Sequence, residues 1–216
     1  MNGAQRTPLR VVLVDDHAVV REGYRRLLER EACLCVVGEA ATAAEALRID
    51  AELTPDVVVL DIALPGVGGM EILKRILARR SSACVLMFSM YQDGIYARRA
   101  LDAGARGYVS KASAPELLVQ AVLAVAQGRN FLSPDVEEML AGSQVGPQLA
   151  SALSGRELEV LRLLTQGCSV EQIGARLHVS PKTAANHQSS IKQKLGADTA
   201  LQLLLVAQRL GLVSQE

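Results

Sequence analysis

The runs VVLVDDH (residues 11–17), VVVLD (57–61) and CVLMFS (84–89) decide the fold. Each is a short, unbroken apolar stretch that stops at a polar residue. A strand that is apolar on both sides needs cover on both faces, as strands of a parallel sheet have. Working outward, CVV (35–37) and GYV (107–109) supply two more such runs. Helix-period segments lie between them, for example Val20, Leu27 and Leu28 in the first and Leu117, Leu118, Ala121, Val122 and Val125 in the last. Five strands alternating with helices imply an α/β fold over residues 9–127, a doubly wound five-stranded parallel sheet with helices on both faces and right-handed crossovers. In such a sheet the ligand site lies beyond the carboxyl ends of the strands.

The chain of 216 residues is long enough for two domains. Residues 128–150, RNFLSPDVEEMLAGSQVGPQLA after Gly128, read as a linker that contains a short acidic helix at 135–141. Residues 151–216 carry no strand signal and four closely spaced helix starts, which implies an all-α four-helix module. Ser154 with Glu157 and Ser169 with Gln172 fit the capping box, Ser180 precedes Pro181, and Asp198 precedes TALQLLLVAQRL.

Half of the residues are hydrophobic, yet no apolar run approaches the roughly 18 residues that cross a bilayer, and MNGAQRTPLR lacks a signal-peptide core. A soluble, cytoplasmic protein without a membrane partner is expected. Cys33, Cys35, Cys84 and Cys168 lie in apolar stretches without paired ligand spacing, which fits reduced, buried thiols better than disulfides or zinc. Net charge is zero, but it divides unevenly: residues 151–216 hold seven basic and five acidic residues. With no Trp, two Phe and four Tyr, a single-stranded nucleic-acid binder built on stacking is disfavoured.

Chemistry gathers at the strand ends. Asp15 and Asp16 follow the first strand and Asp61 follows the third. With those strands adjacent, three carboxylates converge, repel and raise one another's pKa unless a cation intervenes. Oxygen-only ligands favour Mg²⁺. Ser89 ends the fourth run and Lys111 stands two residues past GYV, where a hydroxyl and an ammonium can compensate a phosphoryl group on Asp61. A single strand-end Asp is commonly a turn or cap residue, but five polar residues at four strand ends are harder to explain so. A dinucleotide site is the competing use of such a sheet; GVGG after the third run lacks the G-x-G-x-x-G spacing.

With VDDH, the acceptor in DIALPG, Ser89 and YVSKASAPEL together, residues 9–127 resemble the receiver domains of bacterial two-component response regulators. The resemblance implies that Asp61 is the phosphoacceptor. It implies that Asp16, Asp61 and the Ala63 carbonyl bind Mg²⁺ with help from Asp15. It also makes Tyr108 the aromatic that turns inward when Ser89 moves toward the phosphoryl group. The chain departs from the usual Met-Pro-x-Met-Asp-Gly after the acceptor: LPGVGG puts Gly68 at the acidic position, which predicts a looser loop. Ala63 and Tyr91, two residues beyond the acceptor and the hydroxyl, lack side chains suited to orienting a hydrolytic water, which predicts a long-lived aspartyl phosphate.

The segment CSVEQIGARLHVSPKTAANHQSSIKQKLG (168–196) reads as helix (170–177), short turn, helix (181–195). The second helix puts Ala184, Ile191 and Leu195, with Gln188 beside them, on one face, and Lys182, Asn186, Ser189 and Gln193 on the opposite one. Asn and Gln can pair with adenine edges, Ser with bases or phosphates, and Lys182, Lys192 and Lys194 with phosphates. A solvated helical face is the bland reading of the same pattern. Through LSGRELEVL (153–161), IGARL (173–177), VSPKT (179–183), NH (186–187) and IKQKLG (191–196), residues 152–213 resemble the NarL/FixJ (LuxR-type) output module. The resemblance implies binding of double-stranded DNA through Lys182, Thr183, Ala185, Asn186, Ser189, Lys192, Gln193 and Lys194. Ala184 stands where the family usually has Val, and Ala185, Gln188 and Ser190 where it often has basic residues. Phosphate contacts are thereby thinned, and binding should lean on a homodimer. His187 reads as a packing residue. The last helix, with Leu201, Leu204, Leu205 and Leu210, carries more apolar surface than a small module needs and is a candidate dimer contact.

These readings together describe a phosphorylation-controlled DNA-binding transcription regulator whose donor is a sensor histidine kinase, and not an enzyme beyond Mg²⁺-dependent self-phosphorylation and slow dephosphorylation. A phosphohydrolase would use the same acids but needs a general acid-base group near Asp61. A protein-interaction adaptor would turn the terminal helices to another protein.

Overall fold

The computed structural model describes residues 7–91, 94–142, 152–210 and 212–213. Its sheet runs β1 (Leu9–Val14), β2 (Leu34–Ala40), β3 (Val57–Leu60), β4 (Cys84–Ser89), β5 (Gly107–Ser110) and β6 (Phe131–Leu132), all parallel, in the order β2-β1-β3-β4-β5-β6. The five expected strands are present, and β3 lies beside β1 as the convergence of the carboxylates requires. The sixth strand corrects the count of five. It is two residues long, too short for a pattern, and pairs with Gly107 and Tyr108 at the edge.

Alternation along β1 and β3 sends side chains to opposite layers. Val11, Leu13, Val57 and Val59 pack with Leu28 of α1 (Ala18–Leu28) and with Leu118, Ala121, Val122 and Val125 of α5 (Glu116–Ala126). Val12, Val14, Val58 and Leu60 pack with α2 (Ala43–Leu53), α3 (Gly69–Arg79) and α4 (Gly94–Asp102). Residues 128–142, read from sequence as the start of a linker, belong to this unit: β6 joins the sheet and α6 (Pro134–Gly142) packs against α4 and β5. The rest of that linker, 143–150, lies outside the described residues.

Further along, the described residues include α7 (Gly155–Thr165), α8 (Val170–Arg176), α9 (Pro181–Leu195) and α10 (Ala200–Arg209). The capping boxes at Ser154 and Ser169 form, and Ser180 caps α9 ahead of its first-turn proline. At α10 the cap is Thr199 with Gln202, one residue beyond the expected Asp198, because Gln202 can then return a hydrogen bond to the Thr199 N–H.

The cysteines depart from expectation. All four are free thiols, but Cys33 and Cys35 are exposed, and Cys84 and Cys168 are half-buried. The reason is position: β2 is the sheet edge, Cys33 sits in the turn before it, and Cys35 points away from the layer that takes Leu34 and Val36. Among the described residues no helix is long and apolar enough to cross a membrane.

Candidate phosphoacceptor site and nucleic-acid interface

Parallel strands of similar register end at one edge, so the loops after β1, β3, β4 and β5 deliver their polar residues to one place. Asp15 and Asp61 are buried at 6% and 3% exposure, and Asp15, Asp16, His17 and Asp61 bring ligand atoms within 4.8 Å of one another. The Lys111 ammonium donates to Asp15 Oδ2 and Asp61 Oδ2, both at 2.5 Å. The second oxygen of Asp61 accepts the Ala63 N–H at 3.1 Å, and Asp15 Oδ1 accepts the His17 N–H at 2.8 Å. Asp16 Oδ1 is buried without a hydrogen-bond partner, with His17 Nδ1 in ion-pair range at 3.0 Å. Three carboxylates against one ammonium, with one buried oxygen unfilled, are a donor set that fits a divalent cation.

The electrostatics agree. Burial pushes the Asp61 carboxyl above its ordinary pKa, Lys111 pulls it back, and Asp15 adds to the rise. Burial works against the Lys111 ammonium, but Asp61 and Asp15 more than offset it, and its pKa is raised.

The loop after Asp61 approaches closely. A Cβ on Gly69 would stand 2.0 Å from the Asp61 carbonyl oxygen, so only glycine fits there. Gly68 has φ +78°, and the loop is held by Gly69 N–H to Ile62 O at 2.8 Å and Leu64 N–H to Ile62 O at 2.9 Å.

Ser89 is fully buried at the end of β4, and its Oγ accepts the Tyr91 N–H at 3.2 Å. Tyr108 is fully buried too, with its hydroxyl donating to the Tyr91 carbonyl at 2.8 Å. In the sequence Tyr91 stands out only for lacking a side chain suited to orienting water. Its ring stacks on Tyr96, centroids 4.7 Å apart, and carries the Arg162 guanidinium of α7 at 4.8 Å.

In the second unit, Lys182, Asn186, Ser189 and Gln193 are exposed along α9, while Ala184 and Ile191 are buried beneath. Thr183, Ala185 and Lys192 are half-buried on its flanks. Thr183 Oγ1 lies 2.8 Å from the Ser180 cap, and Ser189 donates to the Ala185 carbonyl at 3.0 Å, leaving its lone pairs free. Lys194 is spoken for: its ammonium is 2.7 Å from Glu157, which also accepts Ser190 at 2.6 Å. These donors hold the Glu157 carboxyl at about 2 although burial opposes them. Glu157 was legible only as a capping residue; its tie to α9 needs the fold. Burial lowers the His187 pKa, keeping the ring neutral as a packing residue.

An aspartate pocket with a lysine and a hydroxyl at the edge of a doubly wound sheet, followed by a helix-turn-helix with a polar outer face, defines a receiver joined to a DNA-binding output module. Residues 11–123 match the response regulator receiver domain, and residues 151–207 match the bacterial regulatory proteins of the luxR family. The chain is 33% identical over 212 residues to the response regulator UvrY of Escherichia coli K12, covering 96% of this chain and 97% of UvrY. Among solved structures it is similar to RcsB of Salmonella enterica serovar Typhimurium bound to promoter rprA with the phosphomimetic BeF3-. That match has 28% identity and a TM-score of 0.62, over 92% of this chain and 98% of RcsB. A LuxR-family response regulator from Aurantimonas is 49% identical over 62% of this chain and 96% of its own, with a TM-score of 0.61. The chain belongs to the NarL/FixJ family of two-component response regulators, DNA-binding transcription regulators controlled by phosphorylation.

Proposed function

We propose that Asp61 takes a phosphoryl group from a sensor histidine kinase, and that the modified receiver changes how the α9 module pairs and binds DNA in the cytoplasm. The observation that carries this is the buried Asp61 with Lys111 at 2.5 Å and the orphaned Asp16 oxygen beside it. A carboxylate oxygen of Asp61 attacks phosphorus as the bond to the donor imidazole breaks, and the leaving imidazole takes a proton. Asp15, Asp16 and Asp61, with the Ala63 carbonyl, would hold Mg²⁺, which when bound screens the charge of the incoming phosphoryl group. Lys111 exchanges a carboxylate for a phosphoryl oxygen, and Ser89 rotates to donate to another. The protein performs no other turnover.

Neither Ala63 nor Tyr91 offers a side chain suited to orienting water toward Asp61: the Ala63 N–H is engaged by Asp61, and the Tyr91 ring is taken up by contacts with Tyr96 and Arg162. A phosphorylated sample freed of donor should therefore keep its label for hours, as read by intact mass; a half-life of seconds contradicts this.

On DNA, the α9 face reads bases through Asn186, Gln193 and Ser189, and Lys182 and Lys192 meet phosphates. Lys194 gives less, because Glu157 already neutralises it. RcsB binds its promoter in the solved complex, and a related structure holds two RcsB dimers on two DNAs; a homodimer is our reading for this chain as well. Its surface is at the start of α10. Leu203 and Leu210 are buried and Leu204 is half-buried, whereas Leu201 is 65% and Leu205 47% exposed, one turn apart. The double variant Leu201→Glu/Leu205→Glu should fold as the parent but dimerise on DNA at least tenfold more weakly, measured by sedimentation with a two-site duplex. A fully dimeric variant would place the contact elsewhere. Affinity for a DNA fragment measured against salt, with and without a small acyl phosphate, tests the function: steady phosphate release would favour a hydrolase, and no DNA affinity an adaptor.

A further inference from the structure

The two units touch, and they touch beside the phosphoacceptor. Arg99 of α4 donates to the Leu153 carbonyl at 2.7 Å. A Cβ on Gly155 would lie 3.1 Å from Met70 Cβ, and one on Gly68 3.5 Å from Glu159 Oε1. Buried apolar residues of α3 and α4 form one continuous cluster with Leu153, Leu158 and Leu161. Between the Ala63–Pro65 loop and the Arg176–His178 turn lies a cavity of about 180 Å³ lined also by Tyr91 and Arg156.

One residue joins this contact to the phosphoryl site by bonds rather than by proximity. Tyr91 gives its N–H to Ser89 Oγ, receives the Tyr108 hydroxyl on its carbonyl, stacks its ring on Tyr96 and holds the Arg162 guanidinium over that ring. The receiver, meanwhile, leaves Lys182, Asn186, Ser189 and Gln193 exposed. Control by covering the reading face is therefore not what this arrangement offers.

We propose that Tyr91 is the positioning residue through which the phosphoryl site releases the output module, with Arg162 as its counterpart. The proposal rests on Asp61 being the acceptor. Rotation of Ser89 toward a phosphoryl group moves its oxygen away from the Tyr91 N–H, and the Tyr91 backbone shifts with it. A cation–π contact depends on the guanidinium lying over the ring, so a displaced ring loosens Arg162 and the α7 contact. The coupling is reciprocal: domain docking resists phosphorylation by the same factor by which phosphorylation weakens docking.

The test is small-angle scattering of the full chain, at a concentration where sedimentation shows monomer, with and without Mg²⁺ and beryllofluoride. The variants are Arg162→Ala, Tyr91→Leu and Tyr91→Phe. The parent should be compact and expand on beryllofluoride. Arg162→Ala and Tyr91→Leu should show an undocked fraction about two- to fivefold larger without it, the lower end of what a cation–π contact is worth, and a blunted response. Tyr91→Phe keeps the ring and should behave as the parent. Arg162→Ala as compact as the parent, with an equal expansion, overturns the proposal, as does a parent that binds beryllofluoride without expanding. Arg162 lies outside the phosphoryl site, so this variant decides the matter if Tyr91→Leu misfolds. Native mass spectrometry separates the two readings: if beryllofluoride does not bind the parent, the acceptor assignment has failed rather than the coupling.

Discussion

Asp61→Asn should take up no phosphoryl group from an acyl phosphate in the presence of Mg²⁺, against near-complete single labelling of the parent by intact mass. The amide keeps the shape of the carboxylate and can still accept the Ala63 N–H, so the fold survives while the nucleophile is lost. Chemistry converges on this one side chain: it is 3% exposed, it meets Lys111 at 2.5 Å, and Asp15 and Asp16 stand in ligand range. Of the neighbouring acids, Asp15 shares Lys111 with Asp61 and gives its other oxygen to the His17 N–H. Residual labelling of Asp61→Asn at more than a few per cent of the parent rate would show that another residue is the acceptor.

Lys111→Met should be the most costly single change in the site. It removes the side-chain ammonium bonded to both Asp15 and Asp61 and leaves two buried carboxylates facing each other and Asp16. Removing one partner of a buried ion pair costs about 3–5 kcal/mol. Part of this is relieved by protonation of Asp61, whose pKa burial already raises. Part is relieved by a divalent cation, so Mg²⁺ should raise the stability of the variant more than that of the parent. Denaturant unfolding of both proteins with Mg²⁺ and with chelator measures the difference. A variant as stable as the parent in chelator would mean that the carboxylates are not charged together in the folded protein.

The sheet was legible because its strands are buried on both faces, and such strands are written as uninterrupted runs that end at the working residue. VVLVDDH and VVVLD announce both the strand and what it carries. The helix-turn-helix was legible for a related reason, since Ser154, Ser169 and Ser180 each state where a helix begins. What escaped depends on neighbours distant in sequence. Which strand forms the sheet edge is not written in that strand, so Cys35 reads as buried when it is exposed. Residues 131–132 become a strand only because β5 offers an open edge. In α10 seven of the ten residues are apolar, so periodicity could not choose between Leu204 and the pair Leu201 and Leu205 as the outward face. Tyr91 and Arg162 stand 71 positions apart, and each has an adequate local explanation. The contact that links the two domains exists only in three dimensions.

The exposed face of α9 sets what phosphorylation has to accomplish. Because the reading residues are already open in the docked arrangement, the gain on phosphorylation must come from pairing two modules in the right spacing. With few cations on that face, a lone module should bind weakly, and pairing multiplies affinity by effective concentration.

The most direct test of the account is the affinity of the full chain for a two-site duplex, titrated at several salt concentrations with and without acyl phosphate and Mg²⁺. The account predicts tighter binding on phosphorylation, with a steeper salt dependence as two modules engage, and no response in Asp61→Asn. Equal affinity for the phosphorylated and unphosphorylated parent across the salt range would contradict it.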